Sequence, residues 1–211
     1  MCNYRDGTII LVSMVLVTFK TIHMNLVETI QQSLGFEPLQ KIDPNTQEVA
    51  VNTNSEAALA QAAIPSVLIA LYKYTLSDEG ADDVIREKIS TEWVNALFGK
   101  NMGAATVKIA DYASVSTQHA YEVMESVAVE AVKQVQQNDA GDEEASVVKK
   151  FMNDQRNTIL HYLPASLQIG KLLNDTTIDD RTNKMEGPIS GLMHAIEKKF
   201  SDASETAEKS K

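Results

Sequence analysis

The sequence contains few of the residues from which recognisable catalytic or metal sites are usually built. Of its 211 residues, one is cysteine (Cys2), four are histidine and 6% are aromatic. A single cysteine cannot form an internal disulfide, which fits a reducing compartment. The sequence also lacks a Gly-rich phosphate loop and a nucleophile elbow. We therefore predict no catalytic residue, no bound cofactor and no metal ligand.

Basic residues are also scarce. The chain has 19 lysines and arginines against 29 aspartates and glutamates, which gives a formal net charge of −10. Binding to DNA or RNA depends largely on basic side chains that neutralise phosphates, and a polybasic membrane patch needs the same side chains. The charge therefore argues against a nucleic-acid partner, and otherwise it mainly favours solubility.

Residues 8–19 form a 12-residue apolar run between Arg5 and Lys20. A helix that spans a bilayer needs about 20 such residues, and a signal peptide needs a small-residue cleavage site, which does not follow here. A third interpretation is that translation starts at Met24 rather than Met1. We predict that residues 1–23 are an extension that is not translated, or a signal or anchor; the remaining alternative is a structural N-terminal helix. Without this extension the domain is expected to be cytoplasmic. If residues 8–19 are retained, it is expected to be membrane-anchored or exported.

The clearest structural signal lies in residues 55–74, SEAALAQAAIPSVLIALYKY. This segment begins with a helix-capping signal. Its second half is apolar on every side, which is typical of a helix surrounded by other helices. Pro65 lies inside the segment, and proline removes a backbone donor and crowds the preceding turn. We predict a buried central helix that kinks or restarts at Pro65.

Pro65 and Pro164 lie in similar local sequences, Ile-Pro-Ser-Val-Leu and Leu-Pro-Ala-Ser-Leu, which are 99 residues apart. The two segments are either the remains of a duplication or unrelated sites where proline ends or kinks a helix. Five positions do not decide between these alternatives.

Helices are also predicted on both sides of the central one. Residues 24–54 are expected to form an amphipathic helix followed by a polar linker, and the helix carries Leu26, Val27, Ile30 and Leu34 on one face. Apolar periodicity predicts further helices at about 79–98, 104–112, 117–137, 143–163, 166–173 and 187–200. Asp78 and Ser116 are the predicted N-caps of the first and third of these.

The remaining segments are polar. Residues 174–186 are interpreted as a loop, and residues 201–211 as a disordered tail. Only residues 48–51 come near a strand pattern, and the match is poor. We therefore predict an all-α fold in which residues 55–200 form a single compact multi-helix bundle.

Three stretches resemble a known family: MNLVETIQQSLG at 24–35, KIADYASVSTQHAYEVMESVAVEAV at 108–132, and LPASLQIGKLL at 163–173. Together they are similar to the YidB-like bacterial helical proteins, a family known mainly as a domain of unknown function. In that family a helix, a Ser-rich turn and a second helix recur, and Leu-Pro pairs cap apolar helices. The resemblance implies a compact all-α bacterial protein, and it brings no catalytic residues.

Two sets of side chains are candidates for metal ligands. His119 and Glu122 stand three residues apart on one predicted helix face, but a zinc site usually needs a third or fourth ligand. Residues 174–186 are rich in oxygen ligands, yet Asp180 stands where a calcium loop needs glycine. The other histidines are His23, His161 and His194, and surface or capping positions are expected for all of them.

Three functions are compatible with these observations. The first is a non-enzymatic helical domain that acts through protein–protein contacts or self-association, with an unknown protein partner or a homo-oligomer. The second is a membrane-associated protein anchored by residues 8–19. The third is an enzyme whose site combines a histidine with carboxylates, and a cluster around a concave pocket would support it.

Trp93 is in register with Ile85, Ile89 and Leu97 of the helix predicted at 79–98, and it is therefore expected to be a core residue.

Overall fold

The computed structural model describes residues 24–42, 54–86, 92–138 and 144–179. Within these ranges the regular structure is helical, without a strand, which confirms the all-α prediction. The helices are α1 (Leu26–Ser33), α2 (Ser55–Thr75), α3 (Asp78–Ile85), α4 (Trp93–Phe98), α5 (Met102–Ala113), α6 (Thr117–Asn138), α7 (Ala145–Leu160), α8 (Ile169–Leu172) and α9 (Thr176–Asp179). Two short 3-10 turns cover Gly99–Asn101 and Ala165–Leu167.

Helix α2 is the centre of the bundle, as predicted. It packs against α1, α3, α4, α5, α6 and α7, and every residue from Ala58 to Leu71 is buried. The side chain of Asn54, one residue before the predicted start, caps it by accepting a hydrogen bond from the backbone N–H of Glu56 at 3.0 Å. The helix continues without a break through Pro65, so it does not restart there. Packing on all sides is what holds this proline in a helix interior.

Helix α2 is also long and apolar enough to cross a membrane by length and composition alone. However, 83% of its most apolar window is buried inside the protein. The core helix of a globular bundle has the same composition, because it too is surrounded by apolar neighbours. The composition of α2 therefore does not distinguish a membrane span from a core helix.

Helices α1, α6 and α7 pack around α2. The apolar stripe of α6 is buried along its whole length, namely Ala120, Val123, Met124, Val127, Ala131 and Val135. In α1, Leu26, Val27 and Ile30 are buried and Leu34 is packed against the core. Ser116 caps α6 as predicted, because its hydroxyl accepts a hydrogen bond from the N–H of His119 at 3.2 Å.

Two buried glutamines tie distant segments to this core. Gln155 of α7 accepts from the N–H of Leu26 at 3.0 Å and donates to the carbonyl of Met24 at 2.8 Å. Gln61 of α2 accepts from the N–H of Gln40 at 2.8 Å and donates to the carbonyls of Gln40 and Tyr162. The start of the predicted polar linker is thus attached to the central helix.

The single helix predicted at 79–98 is wrong, because the structure has two separate helices there. Helix α3 ends at Ile85 with Arg86 as its C-cap, and α4 begins only at Trp93. Glu92 stands before α4 in the left-handed region with φ at 70°, a conformation that interrupts a right-handed helix. The N-cap of α3 is Ser77 rather than Asp78, since the hydroxyl of Ser77 accepts from the N–H of Gly80.

Other predicted boundaries also need correction. Helix α5 begins at Met102 instead of 104, and α7 ends at Leu160 instead of 163. The predicted loop at 174–186 contains the short helix α9. Pro65 lies inside a helix whereas Pro164 is extended, with φ −63° and ψ 124°, so their similar local sequences adopt different structures. That difference favours two unrelated prolines over a duplication.

Several predictions concern residues that lie outside the described ranges. They are the apolar run at 8–19 and the extension at 1–23, the linker beyond residue 42, the strand candidate at 48–51, the helix at 187–200 with His194, the tail at 201–211, and His23. These stay predictions.

Candidate functional site

His119 and Glu122 do not form a pair. The Nε2 atom of His119 lies 2.8 Å from Oε1 of Glu56 on α2, while Glu122 accepts a hydrogen bond from Gln118 at 2.7 Å. Both members of the His119–Glu56 pair are exposed, and exposed pairs contribute little to stability. The pair joins the N-terminal ends of α2 and α6.

His161 follows the end of α7 with an exposed side chain. Its backbone carbonyl accepts a hydrogen bond from the N–H of Ile42 at 2.7 Å. This bond attaches the segment that follows α1 to the end of α7. In the part of the chain that the structure describes, no three histidine, cysteine or acidic side chains lie close enough together to hold a metal ion.

In the described part of the predicted loop at 174–186, Asp175 and Asp179 bind the protein itself. Both carboxylate oxygens of Asp179 accept backbone hydrogen bonds, from Gly170 at 2.8 Å and Lys171 at 2.6 Å. Asp175 pairs with Lys73 at 2.9 Å and accepts from the hydroxyl of Thr177 at 2.7 Å. Burial acts to raise the pKa of Asp175, but the hydrogen bonds from Thr177 and Lys73 outweigh it and lower the pKa. These carboxylates therefore fasten α8 and α9 to the bundle.

An open groove runs along the outer face of α6, beside the end of α1. Its volume is about 540 Å³, and its lining residues are Leu34, Tyr121, Glu122, Glu125, Ser126, Val129 and Glu130. The α6 members repeat at one-turn intervals on the face opposite the core. The lining is partly apolar and partly acidic. We call this surface the α1–α6 groove.

The electrostatics of the groove are set by acidic side chains held in place. Glu130 accepts hydrogen bonds from Lys133 at 3.1 Å and Gln134 at 2.6 Å. Burial acts to raise its pKa, but these bonds together with one from Ser33 lower it, so Glu130 is ionised at neutral pH. Burial, followed by the charges of Glu125 and Glu92, raises the pKa of Tyr121. The phenol of Tyr121 is therefore neutral and can donate a hydrogen bond.

Glu125 has a second role at the N-terminus of α4. Its two carboxylate oxygens accept hydrogen bonds from the backbone N–H groups of Trp93 at 2.8 Å and Val94 at 2.9 Å. Glu92, the residue before the helix, makes no side-chain capping bond. Glu125 thus supplies from α6 the cap that α4 lacks locally. The contact also fixes the position of Glu125 in the α1–α6 groove.

Trp93 is a core residue, as predicted, with 2% of its surface exposed. Its ring meets Tyr74 edge-on, with 6.5 Å between ring centroids. Burial, followed by the hydrogen bond from its hydroxyl to Asp83, raises the pKa of Tyr74 to about 12. Since Trp93 is the only tryptophan in the chain, its fluorescence reports on the docking of α4.

Glu125→Gln is expected to lower the free energy of unfolding by about 1–3 kcal/mol, because an amide keeps one acceptor oxygen and turns a donor toward the other N–H. Glu122→Gln is the matched control. It lies on the same face but is exposed and bonded only to Gln118, so a change below about 0.5 kcal/mol is expected. Urea unfolding followed by circular dichroism and by Trp93 fluorescence measures both. Equal midpoints for the two variants would contradict the capping role of Glu125.

Sequence reasoning missed the α1–α6 groove. The apolar pattern of α6 identifies its buried face and carries no information about the opposite one. The available signal was Val129, an apolar residue on the polar face, which is 46% exposed in the structure. An isolated exposed valine is ordinary. It becomes informative only because Leu34 and Tyr121 lie beside it.

No protein-family model matches this chain, and no curated protein or solved structure is significantly similar to it. The YidB-like family therefore stays a resemblance, and the function has to be argued from the geometry.

Proposed function

We propose that this protein is a non-enzymatic helical module that acts through protein–protein contact, and that the α1–α6 groove is its docking surface for a basic amphipathic helix. The observation that carries the proposal is the groove itself, whose lining combines the apolar side chains of Leu34, Tyr121 and Val129 with three glutamates. Apolar contact area combined with polar groups is typical of a protein–protein interface.

The length of the groove fits a helix. Its α6 side runs from Tyr121 to Glu130, which corresponds to about 13 Å along the helix axis. Helix-in-groove recognition uses apolar anchors at positions i, i+3 or i+4, and i+7, which span about 10 Å. A groove of this length therefore accepts two turns of a partner helix.

The acidic lining selects the charge of the partner. Glu122, Glu125 and Glu130 line the groove, and no lysine or arginine is among its described lining residues; Lys133 is bonded to Glu130. Complementary charge at an interface mainly favours encounter and excludes partners of the wrong sign. A helix with lysine or arginine beside its apolar stripe is thus the partner that this surface fits. The membrane-anchored and enzymatic alternatives stay predictions.

The test compares Val129→Lys with Val107→Lys. Val129 lies in the groove and Val107 on the outer face of α5, with exposed fractions of 46% and 45%, so both variants add the same charge at equally exposed helical sites. The probe is a fluorescein-labelled helix of leucine and lysine with leucines at i, i+3, i+4 and i+7. We expect Val129→Lys to weaken its binding about tenfold or more, because it removes an apolar contact and adds repulsion.

The control variant should bind the probe within about twofold of the unchanged protein, since its charge lies away from the groove. A scrambled peptide of the same composition measures non-specific attraction to the acidic protein, and it should bind more weakly. Equal loss of affinity in both lysine variants, or equal binding of the scrambled peptide, would contradict the proposed docking surface. Circular dichroism confirms that both variants are folded.

A further inference from the structure

We infer that Glu125 links the α1–α6 groove to α4, so that a basic partner docked in the groove loosens the start of α4. This inference rests on the proposed docking surface and adds a response to docking. Glu125 lines the groove, and the same carboxylate accepts hydrogen bonds from the backbone N–H groups of Trp93 and Val94. A cation that binds Glu125 from the groove therefore competes with the cap of α4.

The start of α4 depends on Glu125 because the helix has no cap of its own. The N–H groups in the first turn of a helix have no partner within that helix. In α4 the N–H groups of Trp93 and Val94 donate to Glu125, and the next two donate to the carbonyl of Glu92. The side chain of Glu92 makes no capping bond. Weakening the bonds to Glu125 therefore leaves two N–H groups without another partner among the described residues.

A cation at Glu125 weakens both bonds of the cap. The carboxylate holds one N–H on each oxygen, that of Trp93 at 2.8 Å and that of Val94 at 2.9 Å. Such bonds are strong because the acceptor is ionised, and negative charge is favourable at the N-terminal end of a helix. A lysine or arginine bound to Glu125 offsets this charge and draws the side chain toward the groove. Both effects favour release of the two N–H groups.

The other two glutamates of the groove have no such connection. Glu122 accepts a hydrogen bond from Gln118 of its own helix at 2.7 Å. Glu130 accepts from Lys133 and Gln134, which also belong to α6. In the described part of the chain neither carboxylate is bonded to α4. A lysine beside either of them should therefore leave α4 unchanged, which provides a matched control within the same groove.

Coupling between two sites acts in both directions. If docking of a basic side chain on Glu125 loosens the start of α4, then the intact cap of α4 opposes docking at Glu125 by the same factor. The start of α4 lies at the core, where the ring of Trp93 meets Tyr74 of α2 edge-on. Docking at the surface would thus change the protection of a segment that packs against the central helix.

The experiment places a lysine in the groove of the full-length chain and needs no partner. Val129→Lys puts the new ammonium four residues after Glu125, which is the spacing and order at which glutamate and lysine pair on a helix. Ser126→Lys adds the same charge to the same groove. It lies four residues from both Glu122 and Glu130, and adjacent side chains on a helix do not face each other. The two variants therefore differ in which glutamate the lysine meets.

Hydrogen exchange followed by NMR measures the cap directly. We expect Val129→Lys to accelerate exchange of the Trp93 and Val94 amides about twofold, which is the size of a glutamate–lysine pair at this spacing. Ser126→Lys should leave both rates unchanged. The next two amides of α4, which donate to the carbonyl of Glu92, serve as the reference inside the same helix. Equal rates in the two lysine variants would overturn the inference, and so would equal acceleration of the reference amides.

A double variant tests whether Glu125 itself carries the effect. Glu125→Gln should accelerate exchange of the same two amides, because an amide is a weaker cap than a carboxylate. Adding Val129→Lys to Glu125→Gln should then cause no further acceleration, since the lysine has no carboxylate to draw away. Further acceleration in the double variant would show that the lysine acts by another route and would overturn the inference.

The leucine–lysine probe separates this inference from the proposed docking surface. Saturating the unchanged protein with the probe should accelerate exchange of the Trp93 and Val94 amides, as Val129→Lys does. If the probe binds without accelerating them, the docking surface stands and the link to α4 fails. If the probe does not bind and Val129→Lys still accelerates them, docking of an outside helix fails and the link through Glu125 stands.

Discussion

Gly80→Ala is expected to lower the free energy of unfolding by about 2 kcal/mol or more, which is the usual cost of forcing an extra carbon into a filled site. A Cβ at position 80 would lie 2.1 Å from the backbone carbonyl oxygen of Tyr74 and 2.9 Å from Oγ of Ser77. The first contact is with backbone at the end of α2, so a side-chain rotation does not relieve it. The chain between α2 and α3 would have to move. Thermal and urea unfolding measure the effect.

Gly103→Ala is the matched control for this prediction. Gly103 is also helical, in α5, but a Cβ there would meet no atom within 4 Å. Alanine is a better helix former than glycine by about 1 kcal/mol, so a small gain in stability is expected. The same substitution should therefore have opposite signs at the two sites. A Gly80→Ala protein as stable as Gly103→Ala would show that the approach of α3 to Tyr74 is looser than described.

The features of the fold that could be predicted from sequence are those encoded within one helix. The burial of α2 and the inward face of α6 follow from periodicity, because each helix carries the pattern of its own contacts. Trp93 is predicted to be a core residue for the same reason, although the single helix predicted at 79–98 is two helices, α3 and α4, in the structure.

The features that could not be predicted depend on contacts between distant residues. The cap of α4 comes from Glu125, 32 residues beyond Trp93, and Gln61 binds Tyr162 across 101 residues. A local capping rule identifies neither, because it examines only the residues around a helix end. The candidate site has the same origin. Leu34 follows the end of α1 and Val129 lies in α6, and only packing brings both into the α1–α6 groove.

Gln155→Leu is expected to lower the free energy of unfolding by about 2–4 kcal/mol, because it leaves two backbone groups without their partner. Gln155 is buried, and its amide is the shared partner of the Leu26 N–H and the Met24 carbonyl. Leucine is similar in size but can form neither bond. Since Leu34 is the C-cap of α1, loosening α1 should also weaken binding of the leucine–lysine probe. Urea unfolding and hydrogen exchange of the α1 amides measure both effects.

Ser66→Ala provides the opposite case in the same core. Ser66 is fully buried in α2, and its hydroxyl has no hydrogen-bond partner among the described residues. Removing a buried hydroxyl that makes no bond relieves a desolvation cost of about 1 kcal/mol or more, so this variant should be more stable than the unchanged protein. Burial alone would predict similar effects for the two polar side chains. Opposite signs follow only if Gln155 is held by its bonds to α1, and a neutral Gln155→Leu would show that α1 stays docked by its apolar face alone.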